Sequence, residues 1–311
     1  MRVRRGARRG GLRSQRTARM DLFVAALVTG VGLGSMYGLL ALGFYVTYAV
    51  SNTVNFAQGS TMMLGAVMGF TLGVTLGWPW IPAILVALLV CAAWGVVVEA
   101  IGVRPFARKG SDLWLMATVA LGLILENVVL FTFGKDPRGM PQTSLTAEAF
   151  SAGGLRVSIL QVTIPLVGLF IAFALHALTR YTRMGKSMLA IVQNPDAARL
   201  MGIDVRAAIV AAYALSGLFA GIAGLLIAPL FTVSSGMGTL FGIKAFAVAI
   251  LGGIGNPWGV VLAGLLYGSA ESLITAAFGS TYTQILTFGL VIVALALRPD
   301  GLFGHAGVKK V

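Results

Sequence analysis

The chain has 311 residues, of which 58% are hydrophobic and 11% are charged, and its formal net charge is +13. Soluble domains contain roughly 25% charged residues on average, so this composition excludes a water-soluble enzyme and a disordered binding protein. The single cysteine excludes a disulfide framework, and the two histidines lie too far apart for a local metal-binding motif, so we expect no metal site.

Long uncharged stretches follow one another along most of the chain. No Asp, Glu, Lys or Arg occurs between residues 22 and 98, whereas one bilayer crossing needs only about 20 apolar residues. The sequence therefore predicts an all-α polytopic membrane protein with eight or nine transmembrane helices, depending on whether the shorter segments cross fully. The predicted spans are residues 22–48, 54–76, 81–103, 113–133, 157–178, 207–231, 241–254, 258–278 and 282–297.

An arginine-rich segment precedes the first span, since eight of the 23 basic residues are arginines within residues 1–19. Such a segment is typical of a lipid-binding or nucleic-acid-binding arm, of a targeting signal, or of an extension that is absent from the native protein. We favour the last interpretation, with no nucleic-acid partner, because Met20 immediately precedes the first apolar stretch. The predicted domains are the extension 1–19, one transmembrane domain 20–304 and a cytoplasmic tail 305–311.

The positive charges outside the spans predict the orientation of the chain. Loops 104–109 and 180–206 and the tail 298–310 contain 11 basic residues, against three in loop 135–156. Because cytoplasmic loops are enriched in Lys and Arg, we expect the first group to be cytoplasmic. Three spans precede residue 104, so the start of the first helix should lie on the opposite, outer side of the membrane. The eight arginines before that helix conflict with an outer position. A start at Met20 removes the conflict; a re-entrant second segment, or arginines that override the span count, are the alternatives.

Three amide side chains, Asn52, Asn55 and Gln58, interrupt the long apolar region at the second span. Unpaired amides at membrane depth cost several kcal/mol, so these side chains are expected to face protein or water rather than lipid. A path lined by neutral amides suits a zwitterionic amino acid with an apolar side chain. The alternative is that the amides only hold two helices together by hydrogen bonds.

Further polar residues fall within predicted spans, namely Glu126, the adjacent Asn127, and Glu271. Acidic residues inside a membrane are candidates for substrate contact because burying an unpaired charge costs about 2.5 kcal/mol or more. For Glu271, a structural ion pair with Lys244, which we expect at a membrane edge, is an equally good interpretation.

Four glycines recur at every fourth position of the second span: Gly65, Gly69, Gly73 and Gly77. This spacing predicts a smooth groove against which another helix packs closely. We favour helix packing over a substrate surface for this column.

Nucleotide binding and covalent catalysis are not predicted for this chain. Residues 180–187 end like a phosphate-binding loop, but Arg180 stands where that motif needs glycine, and no strand precedes it. Ser, His and Asp show no catalytic spacing, so we expect no catalytic residue and no cofactor in the chain.

The longest charged loop contains a predicted short helix. Pro195 suits its first turn, Asp196 suits its positive end and Gly202 suits its termination. A short helix displayed on a loop is well suited to dock into a groove of a soluble partner, whereas the alternative is a solvated connector.

The segment Asp196-Ala197-Ala198-x3-Gly202 resembles the EAA loop of ATP-binding-cassette importers, with Asp in place of the leading Glu. The chain as a whole resembles the permeases of branched-chain amino acid transporters, the LivH type. This similarity extends in the same order through residues 32–43, 54–59, 104–105, 180–186, 197–203, 244–255, 271 and 298–304. Glu126 departs from the family, where a neutral amide is expected.

The resemblance implies a permease subunit that imports branched-chain amino acids across the bacterial cytoplasmic (inner) membrane by alternating access. It implies a heterodimer with a second permease, two ATPase subunits that bind ATP and Mg, and an extracytoplasmic substrate-binding protein. The loop with Pro195, Asp196, Ala197, Ala198 and Gly202 is then the contact to the ATPases. Two alternatives remain: the same machinery carrying urea, short amides or other amino acids, and an ion-coupled secondary transporter, which needs no such loop. A membrane enzyme is disfavoured by the missing catalytic residues.

Overall fold

The computed structural model describes the backbone of residues 3–141, 148–152 and 155–304, and the side chains of residues 23–141 and 158–304. The side chains of the extension 1–19 and the tail 305–311 lie outside the described residues. The helices are α1 (Val3–Ser51), α2 (Gln58–Phe70), α3 (Trp80–Val97), α4 (Arg104–Ala107), α5 (Trp114–Phe133), α6 (Ile159–Tyr181), α7 (Arg183–Gln193), α8 (Pro195–Leu200), α9 (Val205–Ile227), α10 (Met237–Gly252), α11 (Pro257–Phe278) and α12 (Ser280–Leu297).

The described helices form a polytopic membrane bundle. Seven of them are long and apolar enough to cross a bilayer, and the shorter α10 is also apolar. π-Helical turns at Thr71–Thr75 and Val98–Val103 extend α2 and α3. A two-stranded antiparallel hairpin, β1 (Glu148–Ala152) and β2 (Leu155–Ser158), lies between α5 and α6, with Phe150 opposite Val157. The predicted all-α polytopic fold with eight or nine membrane helices is confirmed.

The second predicted span begins later than expected. Its helix begins only at Gln58, and residues 52–57 are irregular, with Asn52 in a left-handed conformation at φ +52°. The side-chain Oδ1 of Asn55 accepts a hydrogen bond from the backbone N–H of Ala57 at 3.1 Å. Asparagine competes with helical hydrogen bonding in this way, which explains the late start of α2.

Helix α1 packs against α11 through glycines on both helices. A Cβ on Gly34 would lie 2.5 Å from the carbonyl oxygen of Gly264, and one on Gly268 would lie 2.2 Å from the backbone nitrogen of Gly34. Gly30 and Gly38 continue the contact along α1. Because membrane helices gain little from hydrophobic burial against each other, this backbone contact is a main source of their packing energy. Helices α6, α9 and α10 also pack against α1.

A second close packing region joins α3 to α9. A Cβ on Gly217 would lie 2.3 Å from the carbonyl oxygen of Cys91, and one on Gly221 would lie 3.0 Å from its Sγ atom. Cys91 is fully buried, and its Sγ lies 3.6 Å from the carbonyl oxygen of Thr61 on α2. The glycines named on α1, α9 and α11 therefore lie at helix–helix contacts.

The basic loops lie together at one end of the bundle. Ser51 at the end of α1 shares a cavity with Arg104, Arg108, Arg199 and Arg206. The positive-inside rule assigns this end to the cytoplasm. Since α1 reaches this end at Ser51, its Phe23 end lies on the opposite side of the membrane, as the count of three spans predicts. On that side, the loop after α5 pairs with the loop after α9 through a β-bridge between Arg138 and Val233.

The glycine column of α2 packs against neighbouring residues at three of its four positions. A Cβ on Gly65 would lie 2.7 Å from backbone atoms of Gly221, one on Gly69 would lie 2.4 Å from the Leu225 side chain, and one on Gly73 would lie 2.6 Å from the Trp80 ring. Gly77 does not pack: it is exposed, has φ +65°, and no heavy atom lies within 4 Å of its Cβ position. The predicted column is corrected there, because Gly77 instead forms the left-handed turn that follows the helix.

We expect Gly65→Ala to destabilise the protein more than Gly69→Ala. The new methyl group at position 65 meets the rigid backbone of α9, whereas the one at position 69 meets a leucine side chain that can change rotamer. Overpacking costs about 1 to 3 kcal/mol. Thermal denaturation in detergent measures the difference, with Gly139→Ala as the control because no heavy atom lies within 4 Å of that Cβ position. Equal melting temperatures for all three variants would contradict this packing.

Candidate functional site

The amide side chains at the start of α2 make contacts within the protein. Gln58 Nε2 donates a hydrogen bond to the carbonyl oxygen of Ser216 at 3.1 Å, and Gln58 Oε1 accepts one from the Ser216 hydroxyl at 2.7 Å. The amide occupies space that Gly43 leaves free on α1. Gln58 and Asn55 are both fully buried, whereas Asn52 is exposed at the cytoplasmic end. The hydrogen bonds of Gln58 thus connect the start of α2 to α9.

The start of α2 lies near the middle of the membrane. Its partner Ser216 is eleven residues from Val205 and eleven from Ile227, the two ends of α9. The chain therefore runs from the end of α1 to the level of Ser216 as the irregular segment 52–57 and continues from there as a helix. Discontinuous helices of this kind form the substrate sites of many transporters, since their ends place polar backbone groups at the midplane. The amide Nδ2 of Asn55, buried in this segment, has no hydrogen-bond partner among the described residues.

A cavity of about 270 Å³ lies beside this start, between α1, α2, α5 and α10. Its size is close to the lower end of the roughly 300–1,000 Å³ of small-molecule sites. The Phe246 ring forms much of one wall, with ring centroids 4.9 Å from Phe56 and 5.6 Å from Phe44. The other lining residues are Gly59, Ser60, Val119, Gly122, Leu123, Gly238, Thr239, Gly242 and Ile243.

Glu126 is half-buried and lies beside this cavity. Its Oε1 accepts hydrogen bonds from the hydroxyls of Ser60 at 3.2 Å and Thr239 at 2.7 Å, and the Thr239 hydroxyl is also 2.9 Å from Oε2. The neighbouring Asn127 is exposed and donates a hydrogen bond to the backbone of Leu123. The structure therefore places Glu126 next to the cavity, bonded to two of its lining residues, Ser60 and Thr239, that the sequence analysis did not select.

Glu271 lies in a different place, inside a buried ion pair. Its Oε1 is 2.5 Å from Lys244 Nζ, and both side chains are at most one-tenth exposed. The Tyr37 hydroxyl lies 3.4 Å from the same Nζ. Lys244 is in the interior of α10 and not at a membrane edge, so its expected position is corrected: the carboxylate partner makes burial of the ammonium group tolerable.

The cytoplasmic loop folds as two short helices, α7 and α8. Asn194 caps α8, since its Oδ1 accepts hydrogen bonds from the backbone N–H groups of Asp196 and Ala197. Pro195 occupies the first turn, and Gly202 at φ +81° follows the helix, as the sequence predicts. Asp196 forms an exposed ion pair with Arg199 at 3.1 Å.

The direction of the side chains on α8 differs from the expected one. Ala197 is exposed, but Ala198 is only 4% exposed and packs into the core of its own chain. Leu200 and Met201, which the sequence analysis did not select, are 89% and 83% exposed. These two adjacent, largely exposed apolar side chains are available for contact with a partner. The exposed apolar surface of this loop is therefore formed by Leu200 and Met201.

We expect Ser216→Ala to lower the melting temperature of the protein. The substitution removes the hydroxyl that donates to Gln58 and leaves a buried amide oxygen without a partner, which costs about 1 to 3 kcal/mol. Ser187→Ala is the matched control, because that half-buried hydroxyl donates only to the carbonyl oxygen of Arg183 in its own helix. Scanning fluorimetry of the purified protein measures both, and equal stability of the two variants would contradict the anchoring role of Gln58.

A family model and several known proteins are similar to this chain. The family model, described as the permease component of branched-chain amino acid transport systems, matches residues 26–295. The high-affinity branched-chain amino acid transport system permease protein BraD of Pseudomonas aeruginosa is 30% identical over 301 residues, which cover 93% of this chain and 98% of BraD. The corresponding permease LivH of Escherichia coli K12 is 30% identical over 304 residues, with 93% and 98% covered. A probable LivH of Methanocaldococcus jannaschii is 31% identical over 284 residues, with 86% and 88% covered.

Proposed function

The chain belongs to the family of branched-chain amino acid transport system permease components, and we propose that it forms the path of an ATP-driven importer of branched-chain amino acids. It is a transport subunit rather than an enzyme, and a multi-pass protein of the cytoplasmic membrane. The observation that carries the proposal is the cavity beside the start of α2, at about half the membrane depth. Its apolar walls and single polar edge suit a small zwitterion with a hydrocarbon side chain.

The proposed machinery requires partners that each perform one task. A second permease completes the path, an extracytoplasmic binding protein delivers the amino acid, and two ATPase subunits bind ATP and Mg on the cytoplasmic side. Binding and hydrolysis of ATP then alternate the access to the cavity between the two sides of the membrane. Asn52, Asn55 and Gln58 belong to this path in the proposal, because they are part of the irregular segment and helix start that line the cavity through Phe56, Gly59 and Ser60.

The packing of the described helices supports a mechanical connection from the ATPases to the cavity. Gly202 and the start of α9 directly follow the docking helix α8. Helix α9 contacts α2 closely, since a Cβ on Gly224 would lie 2.0 Å from the carbonyl oxygen of Met62. Helix α2 carries Ser60 into the cavity. We propose that movement of α8 is transmitted in this order.

We expect Leu200→Arg to release the ATPase subunits without unfolding the permease. Leu200 is almost fully exposed in the chain, so its substitution leaves the core intact, whereas a desolvated charge in a docking groove costs several kcal/mol. A pull-down of ATPase subunits and an uptake assay measure the effect. Gly139→Arg, at the opposite end of the membrane, is the control, and Ala198→Arg is expected to reduce the yield of folded permease instead. Full ATPase retention with normal uptake in Leu200→Arg would refute the docking role.

We expect the transporter reconstituted with its partners to take up leucine, isoleucine and valine only when ATP is supplied on the ATPase side. Uptake of radiolabelled leucine into proteoliposomes measures this, with a non-hydrolysable ATP analogue as the control. Uptake that follows an ion gradient without ATP would establish a secondary transporter. Uptake of urea or short amides in preference to leucine would refute the proposed substrate.

A further inference from the structure

We propose that Glu126 binds the ammonium group of the transported amino acid, while the adjoining cavity receives the hydrophobic side chain. The inference rests on the proposed function and adds the group that selects an amino acid over an uncharged or purely anionic solute of the same shape.

The carboxylate of Glu126 is held in place with acceptor capacity to spare. The hydroxyls of Ser60 and Thr239 donate one hydrogen each, whereas a carboxylate has about four acceptor positions. An ammonium group has three donors and matches the remaining positions. The two hydroxyls come from α2 and α10, so three helices fix the direction of the carboxylate.

Glu126 differs from the other acidic side chains described in the membrane helices in having no basic partner. Glu99 pairs with Arg104 and Glu271 pairs with Lys244. None of the described basic side chains lies within ion-pair distance of Glu126. The residue lies seven positions before Phe133, the end of α5, which is about 10 Å into the membrane at 1.5 Å per residue. A charged substrate group supplies the compensation that the chain itself does not.

Two glycines make room for the polar groups beside the cavity. A Cβ on Gly238 would lie 3.0 Å from Glu126 Oε1, and one on Gly122 would lie 2.9 Å from the Ser60 hydroxyl oxygen. Glycine at both positions lets the polar groups reach the edge of the cavity. The apolar walls formed by Phe44, Phe56 and Phe246 then face a ligand bound at this edge, which places a hydrocarbon side chain against aromatic rings.

The experiment compares two ligands that differ only in the ammonium group. Leucine and 4-methylpentanoate share the side chain and the carboxylate, and saturation-transfer NMR on the assembled transporter in nanodiscs, without binding protein, measures weak binding of both. We expect the wild-type protein to bind leucine at least about tenfold more tightly than 4-methylpentanoate, because a hydrogen bond to a charged group contributes about that much affinity. Glu126→Gln is expected to lose at least about tenfold of this preference, and Glu126→Asp to keep part of it. Asp112→Asn is the matched control, because Asp112 is an exposed carboxylate near the cytoplasmic end of α5.

The ratio of the two affinities does not depend on expression level, so partial misfolding of a variant leaves the test decisive. Thr239→Val, which removes a donor to the carboxylate without removing its charge, is expected to change the ratio in the same direction as Glu126→Gln but less. An unchanged ratio in Glu126→Gln overturns the inference, and so does release of the second permease, which would assign Glu126 to subunit pairing. If the wild-type transporter showed no ATP-driven leucine uptake, that result would instead refute the proposed function.

Discussion

Close contact between the backbones of α1 and α11 holds the described helices in their arrangement. Lipid is as apolar as the side chains it surrounds, so these helices associate through dispersion contacts at short range rather than through burial from water. Glycines on both helices allow this approach, and α1 thereby becomes the element against which α6, α9 and α10 also pack. The cavity beside α2 exists because α1, α2, α5 and α10 are fixed around it and cannot collapse into it.

The late start of α2 is the second feature on which the site depends. A continuous helix from residue 54 would satisfy its own backbone groups and leave nothing polar at the midplane. Asn55 instead accepts a hydrogen bond from the backbone N–H of Ala57 before the helix begins, and Gln58 bonds to the centre of α9. The amides therefore stabilise the structure at the place where a substrate is expected. The two interpretations of these residues meet in one geometry: a helix start that borders the cavity and is bonded to α9.

The fold class, the spans and the short helix α8 could be predicted from the sequence because each rests on local signals: uncharged length, charge outside the spans, and the order proline, acidic residue, glycine. The polar group beside the cavity could not be predicted in this way. Glu126 meets Ser60 and Thr239 across 66 and 113 residues of chain, and no local pattern relates them. The inward direction of Ala198 and the interior position of Lys244 also depend on tertiary packing. Gly77 shared the spacing of its column but lay beyond the end of the helix, where spacing no longer implies a common face.

The burial of Cys91 between α2, α3 and α9 has a practical consequence. The only thiol of the chain is fully shielded from solvent, with Gly221 packed against its sulfur atom. Maleimide and spin-label reagents therefore react with a cysteine introduced on the surface and leave the native one untouched. The unmodified sequence is a ready background for paired spin labels, for example on α5 and α10, whose separation follows the opening and closing of the cavity through a transport cycle.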